Sequence, residues 1–138
     1  MSSSDSKWER CTNFSIELPD RPGSLAALAA RLRQADVHLL GLWGAGETEG
    51  PATFHCVPES PDQFRNFLAS TELEAREGSA FYVSGASHGV ALVETLDRIA
   101  GAGINLHAIQ GLSQNGEFGC FLWADEDDWP ALERLLSA

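Results

Sequence analysis

The chain repeats itself. Phe14 and Phe81 stand 67 positions apart, and the same offset joins Leu25 to Leu92, Leu32 to Ile99, Ala35 to Ala102, Val37 to Ile104, Leu39 to Leu106, Gly44 to Gly111, Phe54 to Phe121 and Leu68 to Leu135. These matches fall on apolar positions of the same expected elements, each copy reading strand, helix, strand, strand, helix. A long repeat of mixed elements implies two copies of one small domain rather than a solenoid, whose units are shorter and stack in larger numbers. A chain of 138 residues has room for two very small domains.

Periodicity within each copy supports this reading. Phe14, Ile16 and Leu18 alternate with Ser15 and Glu17, the pattern of a half-buried strand. From about Pro22 to Ala35, Leu25, Leu28, Ala29 and Leu32 recur at helical spacing, with Arg31, Arg33 and Gln34 on the other face. Residues 37–43 read as a strand, 44–51 as a turn and 53–57 as a returning strand. Ser60-Pro61-Asp62 opens a second helix with Phe64, Phe67 and Leu68 inward, and 72–76 reads as a short fourth strand. In the second copy, Phe81 and Val83 mark a strand, and Leu92, Leu96, Ile99 and Ala102 a helix. Residues 104–109 form the next strand, Asn115-Gly116 a hairpin turn, 118–123 its return, and Trp129 to Leu136 a last helix behind the acids 125–128.

The expected fold is α+β: two ferredoxin-like βαββαβ units in tandem, with antiparallel sheets and helices on one face. The second unit stops short of a last strand. That strand is missing, or residues 7–12 or another subunit supply it. The expected boundaries are a mobile tail over 1–10, a first unit over 11–77 and a second over 78–138. Phe14, Leu25, Leu32, Val37 and Phe54 should share one core, and Phe81, Leu92, Ile99, Ile104 and Phe121 its twin. On the second sheet, Tyr82, Ile109, Cys120 and Leu122 should form an apolar face opposite the helices. Such a face has to be covered by another sheet, within the chain or in a homodimer.

Composition removes several function classes. Nine basic against 20 acidic residues give a net charge of −11, which repels phosphate backbones and argues against direct nucleic-acid binding. No apolar run approaches the roughly 20 residues of a membrane helix, and the N-terminus lacks the charged and apolar regions of a secretory signal. A cytoplasmic protein is expected. Cys11, Cys56 and Cys120 are odd in number and widely spaced, so no disulfide or metal framework follows. The four histidines lack metal spacing. His55 and Cys56 adjoin on a strand and point to opposite faces, which rules out a dyad. Gly44-Ala45-Gly46 has no following G-K-[ST], and no nucleophile motif is present. No enzyme, cofactor or metal is expected.

One segment carries chemistry. Asp20-Arg21-Pro22-Gly23-Ser24-Leu25 joins the first strand to the first helix. Pro22 suits a first helical turn, and Gly23 admits a close approach. Asp20 can cap amides, and the free N–H groups of a helix start suit a carboxylate. Its counterpart in the second copy, with Ser87, His88 and Gly89, keeps a glycine but loses the acid. The starts of the second strands carry His38 and Asn105, again 67 apart.

Strand, D-R-P-G-S-L, helix, then A-x-V-H-L and A-G-I-N-L, resembles the ACT domain family over roughly residues 12–136. The resemblance implies a regulatory module that binds a small amino acid. The ligand would lie at Asp20, Arg21, Pro22, Gly23, Ser24 and Leu25, completed by the strand start His38 or Asn105 of a neighbouring unit. Ser87, His88 and Gly89 would form a second, altered site. His38 departs from the asparagine common in the family. The resemblance further implies a homodimer or higher homo-oligomer and a metabolic enzyme as partner. Its alternatives are a structural interaction module without ligand, or a partner-dependent regulator akin to glycine-cleavage repressor-like tandem ACT proteins.

Overall fold

The structure, a computed structural model, describes residues 7–19, 21–45, 50–86 and 90–137. In chain order its elements are β1 (Lys7–Leu18), α1 (Ser24–Gln34), β2 (Leu39–Ala45), β3 (Ala52–Pro58), α2 (Pro61–Ala69), β4 (Ala75–Ala86), α3 (Val90–Gly101), β5 (Leu106–Gln114), β6 (Glu117–Ala124), a 3-10 turn (Glu126–Asp128) and α4 (Trp129–Ser137). Two compact units result, one of Thr12–Gly78 and one of Met1–Cys11 with Ser79–Ala138. β1 and β4 contribute residues to both. Among the described residues no helix is long and apolar enough to cross a membrane.

In the unit Thr12–Gly78 the strands run in the order β2-β3-β1-β4. β3 is antiparallel to both neighbours, with Phe14 and Leu42 opposite Cys56. Phe14, Ile16, Leu18, Leu28, Leu32, Cys56, Phe64 and Phe67 form the core, with Val37 and Phe54 at its margin. Leu25 departs from expectation, being 44 % exposed. The helix begins at Ser24 rather than Pro22. Side chains on a helix lean toward its N-terminus, so a leucine in the first turn projects past the helix end, while Leu28 and Leu32 reach the sheet. α2 starts as the sequence suggests: the Ser60 hydroxyl accepts from the Gln63 amide, with Pro61 in the first turn.

The other unit has the order β1-β4-β6-β5. Residues 7–10, assigned to a tail on sequence grounds, lie in β1 and take the place of its fourth strand. The Trp8 ring packs 6.2 Å from that of Phe81. Arg10 donates to Ser79 Oγ at 2.8 Å and lies 4.5 Å from the centre of the Trp129 ring. The core comprises Phe81, Val83, Ile99, Ile104, Phe118, Cys120, Leu122, Ala124 and Leu132.

This core corrects the expected face. Leu122 and Cys120 are only 0 % and 1 % exposed, packed inside rather than on the helix-free side. Phe121, expected inside, meets Tyr82 at 4.7 Å instead. Cys56 pairs with Phe14 and Leu122 with Phe81, so the returning strands are related by one position fewer than the first strands. The second hairpin is the shorter. It closes through Asn115-Gly116 alone, both with positive φ, between paired Gln114 and Glu117. A slip of one residue turns every side chain of a strand to the other face. Ile109 lies opposite Leu122 on the outer strand β5 and is half-exposed.

Two measurements check this account. Trp8→Ala should lower stability by about 2 kcal/mol in chemical denaturation, about half the cost of truncating a fully buried tryptophan. A change near zero would mean that the N-terminal strand is not docked. Leu122→Glu would bury an unpaired charge, so the variant should lose cooperative melting rather than fall apart into folded subunits.

Candidate ligand-binding site

The turn between β1 and α1 is held by its own backbone. Arg21 N–H donates to Pro19 O at 3.0 Å, Ser24 N–H to Arg21 O at 3.3 Å and Ala27 N–H to Gly23 O at 2.9 Å. Gly23 is the N-cap of α1 and adopts φ 94° and ψ −19°. Only glycine takes this left-handed conformation without strain, which is the physical reason for a glycine here. Pro22 precedes the cap instead of opening the helix. A Cβ on Gly23 would meet nothing within 4 Å, so the space above the turn is open. The amides that follow begin a helix and lack intrahelical partners. Asp20 lies outside the described residues, as do Ser87, His88 and Gly89.

His38 and Asn105 are both exposed and immediately precede β2 and β5. His38 Nε2 lies 3.2 Å from Asp36 Oδ1, and Asp36 takes a positive φ of 57° in the reversal after α1. Gly23 and His38 therefore sit at opposite ends of α1, whose 11 residues span about 16 Å. The unit Thr12–Gly78 does not bring them together.

A groove of about 470 Å³ opens beside the turn. Buried Leu18 and Leu28, with half-buried Leu73, give it an apolar wall. Arg21 and Arg31, both exposed, line it as well. Neither arginine is in an ion pair among the described residues. Arg31 was placed on sequence grounds only on the polar face of the helix. Its spacing from the turn, two to three helical turns downstream, was the available signal.

A polar cluster occupies the helix-free side of the same unit. Ser15 is paired with His55, and Trp43 with His55, across adjacent strands. Ser15 Oγ lies 3.0 Å from His55 Nδ1, and the His55 ring stacks on Trp43 at 5.0 Å. Asn13, 4 % exposed, approaches both polar groups at 3.4 Å. Burial lowers the His55 pKa below the usual imidazole value. The alternation of Asn13 and Ser15 with Phe14 and Ile16 was the signal for this cluster.

Among the described residues the three cysteines are not activated as nucleophiles. Burial pushes the thiols of Cys11, Cys56 and Cys120 up to about 11, with Glu9 adding to the effect at Cys11, so all three are protonated at neutral pH. His55 and Cys56 occupy opposite faces of β3, with Cys56 in the core. Among the described residues no three His, Cys, Asp or Glu side chains are grouped to hold a metal.

No family model matches the sequence, and no curated protein matches it. Solved structures do. Protein BT0572 from Bacteroides thetaiotaomicron superposes with a TM-score of 0.82 at 15 % identity, over 94 % of this chain and 88 % of that one. The ligand-free regulatory subunit of aspartate kinase from Thermus thermophilus gives 0.63 at 14 % identity, over 96 % and 95 %. That from Thermus flavus gives 0.61 at 16 %, over 99 % and 97 %. At such identities the likeness is one of fold, and that fold is the ACT-type α+β fold of the aspartate kinase regulatory subunits.

Proposed function

We propose that the chain is a non-catalytic regulatory module. It takes up a small amino acid at the Gly23 turn and couples that binding to its own assembly or to a partner enzyme. The observation that supports this most is the left-handed glycine leading into α1, placed on a fold shared with regulatory subunits of an amino-acid-related kinase. The turn offers a carboxylate the amides of Gly23 and Leu25, the Ser24 amide being engaged by Arg21 O, with the helix dipole adding about 0.3–1 kcal/mol. Asp20, by its place in the sequence of this turn, is assigned to the ammonium. Because His38 lies at the far end of α1, a strand start from another unit, His38 or Asn105, completes the contacts. On sequence grounds Ser87, His88 and Gly89 are assigned to a second site that lacks the acid and is degenerate, differently selective or empty.

Assembly is part of this reading. The outer strands β2 and β5 carry exposed Leu40, Leu42 and Leu112, and an apolar strand edge invites pairing with another chain. For the site to be completed, a homodimer joined through these edges has to bring a strand start of one copy to the glycine turn of another. The coupling such a contact transmits is typically about 1–3 kcal/mol.

A thermal-shift screen of the standard amino acids tests the binding. A ligand at about 100 times its dissociation constant should add about 2.7 kcal/mol. His38→Ala should weaken that ligand without lowering the melting temperature, because His38 is exposed. Gly23→Ala should cost about 1–2 kcal/mol of fold stability through backbone strain alone, so it requires its own melting curve beside any loss of binding. If no amino acid shifts the transition, the reading fails. For the assembly, Leu42→Lys and Leu112→Lys together should lower the sedimenting mass while leaving the circular dichroism spectrum unchanged. A wild-type chain that sediments as a monomer with and without ligand would remove the edge contact.

A further inference from the structure

We infer that Ser15 is a covalent acylation site, whose hydroxyl attacks an activated ester with His55 as its base and keeps the acyl group. The inference goes beyond the amino-acid reading and shares no residue with the glycine turn. Three observations carry it. First, nucleophile and base already stand within hydrogen-bond reach. Ser15 and His55 are opposite one another on β1 and β3, and Ser15 Oγ lies 3.0 Å from His55 Nδ1. A serine hydroxyl is a weak nucleophile until an adjacent base takes its proton, and a neutral imidazole is the commonest such base. Burial lowers the His55 pKa, so the ring is uncharged at neutral pH. With its proton on Nε2 it leaves the Nδ1 lone pair to Ser15. Both side chains are half-buried rather than enclosed, so a small reagent can reach them.

Second, Asn13 turns its NH2 group to this pair at the expense of its own oxygen. Its Nδ2 lies 3.4 Å from both Ser15 Oγ and His55 Nδ1. The side chain is 4 % exposed, and Oδ1 is buried without a hydrogen-bond partner among the described residues. Leaving a buried carbonyl unpaired is costly, and such groups concentrate where chemistry requires them. The opposite amide orientation would set Oδ1 against the Ser15 hydroxyl and compete with His55 for its proton. The orientation present puts N–H groups beside Oγ, where the carbonyl oxygen of an attacked ester gains negative charge. Third, Trp43, opposite His55 on β2, stacks on the imidazole at 5.0 Å with 23° between the planes. It fixes the ring and gives an acyl group an apolar wall. In the step itself the Oγ–C bond forms and the C–O bond to the leaving alcohol breaks. The serine proton passes to His55 Nδ1 and on to the departing alkoxide, so the imidazole ends neutral. The products are acyl-Ser15 and a free alcohol.

Two probes applied to the full chain at neutral pH test this. A fluorophosphonate phosphonylates activated serines with loss of fluoride, and p-nitrophenyl acetate is an activated ester. Intact mass and peptide mapping should show one phosphonyl group per chain, on Ser15, and an acetyl group on the same residue. Ser15→Ala should abolish both adducts. His55→Gln should slow their formation by about a hundredfold or more, with a melting curve recorded beside it. Ser113→Ala, in the other unit, should change nothing. The inference is overturned if the folded wild-type chain reacts no faster than its denatured form, or if the label sits on another residue. It is also overturned if a folded His55→Gln variant reacts as the wild type does. Should His55→Gln melt early, the comparison of folded with denatured wild type decides alone. Amino-acid binding at the glycine turn is measured separately, so the two readings can fail independently.

Discussion

A strand left without a neighbour exposes a row of unpaired amides and carbonyls, and β1 answers that need for two units. Its residues Phe14–Leu18 pair with β3 in one unit, and those up to Cys11 take the fourth-strand place in the other. Phe14, Ile16 and Leu18 anchor the first core from this strand. Trp8 and Arg10 attach its beginning to Phe81, Ser79 and Trp129. Without that segment the second unit would have a three-stranded sheet and an uncovered flank on β4. The chain's first strand is thus a long-range element, and its pairing carries a high entropic cost of loop closure that burial at both ends must offset.

The basic residues show how charge is distributed. Arg65 grips Glu77 through two hydrogen bonds of 2.7 and 3.0 Å and reaches Asp62 at 2.6 Å. Bonding to Arg65 lowers the Glu77 pKa. All these groups face solvent, so the arrangement adds little stability. Arg10 lies 3.6 Å from Glu133, and Arg98 donates to Leu135 O at 2.6 Å. These arginines tie helices to strands or to each other. Arg21 and Arg31 form no ion pair among the described residues, and both line the groove beside the glycine turn.

Much of the architecture was legible because it rests on local rules. Helix spacing identified Leu28 and Leu32, alternation identified Phe14 and Ile16, and Asn115-Gly116 specified its hairpin through two left-handed residues. The glycine turn was legible for the same reason. What escaped were matters of one residue or of long range. A single residue less in the second hairpin reversed the faces of Phe121 and Leu122. Leu25 had the right spacing but the wrong place along its helix. Glycine at position 23 was read as room for a ligand, whereas its backbone angle is the prior requirement.

The sequence by itself determined an α+β fold of alternating strands and helices, because hydrophobic period and turn chemistry act between near neighbours. It determined as well that the turn before α1 would be glycine-bearing and that the chain would carry a net charge of −11. Only tertiary structure decided which strand completes the second unit, since pairing partners 70 residues apart leave no local trace. Only tertiary structure set Arg21 and Arg31 against one apolar groove and placed His38 at the far end of the helix from Gly23. Such juxtapositions depend on how an 11-residue helix lies across its sheet, and that is fixed by the packing of Leu28 and Leu32 rather than by any motif.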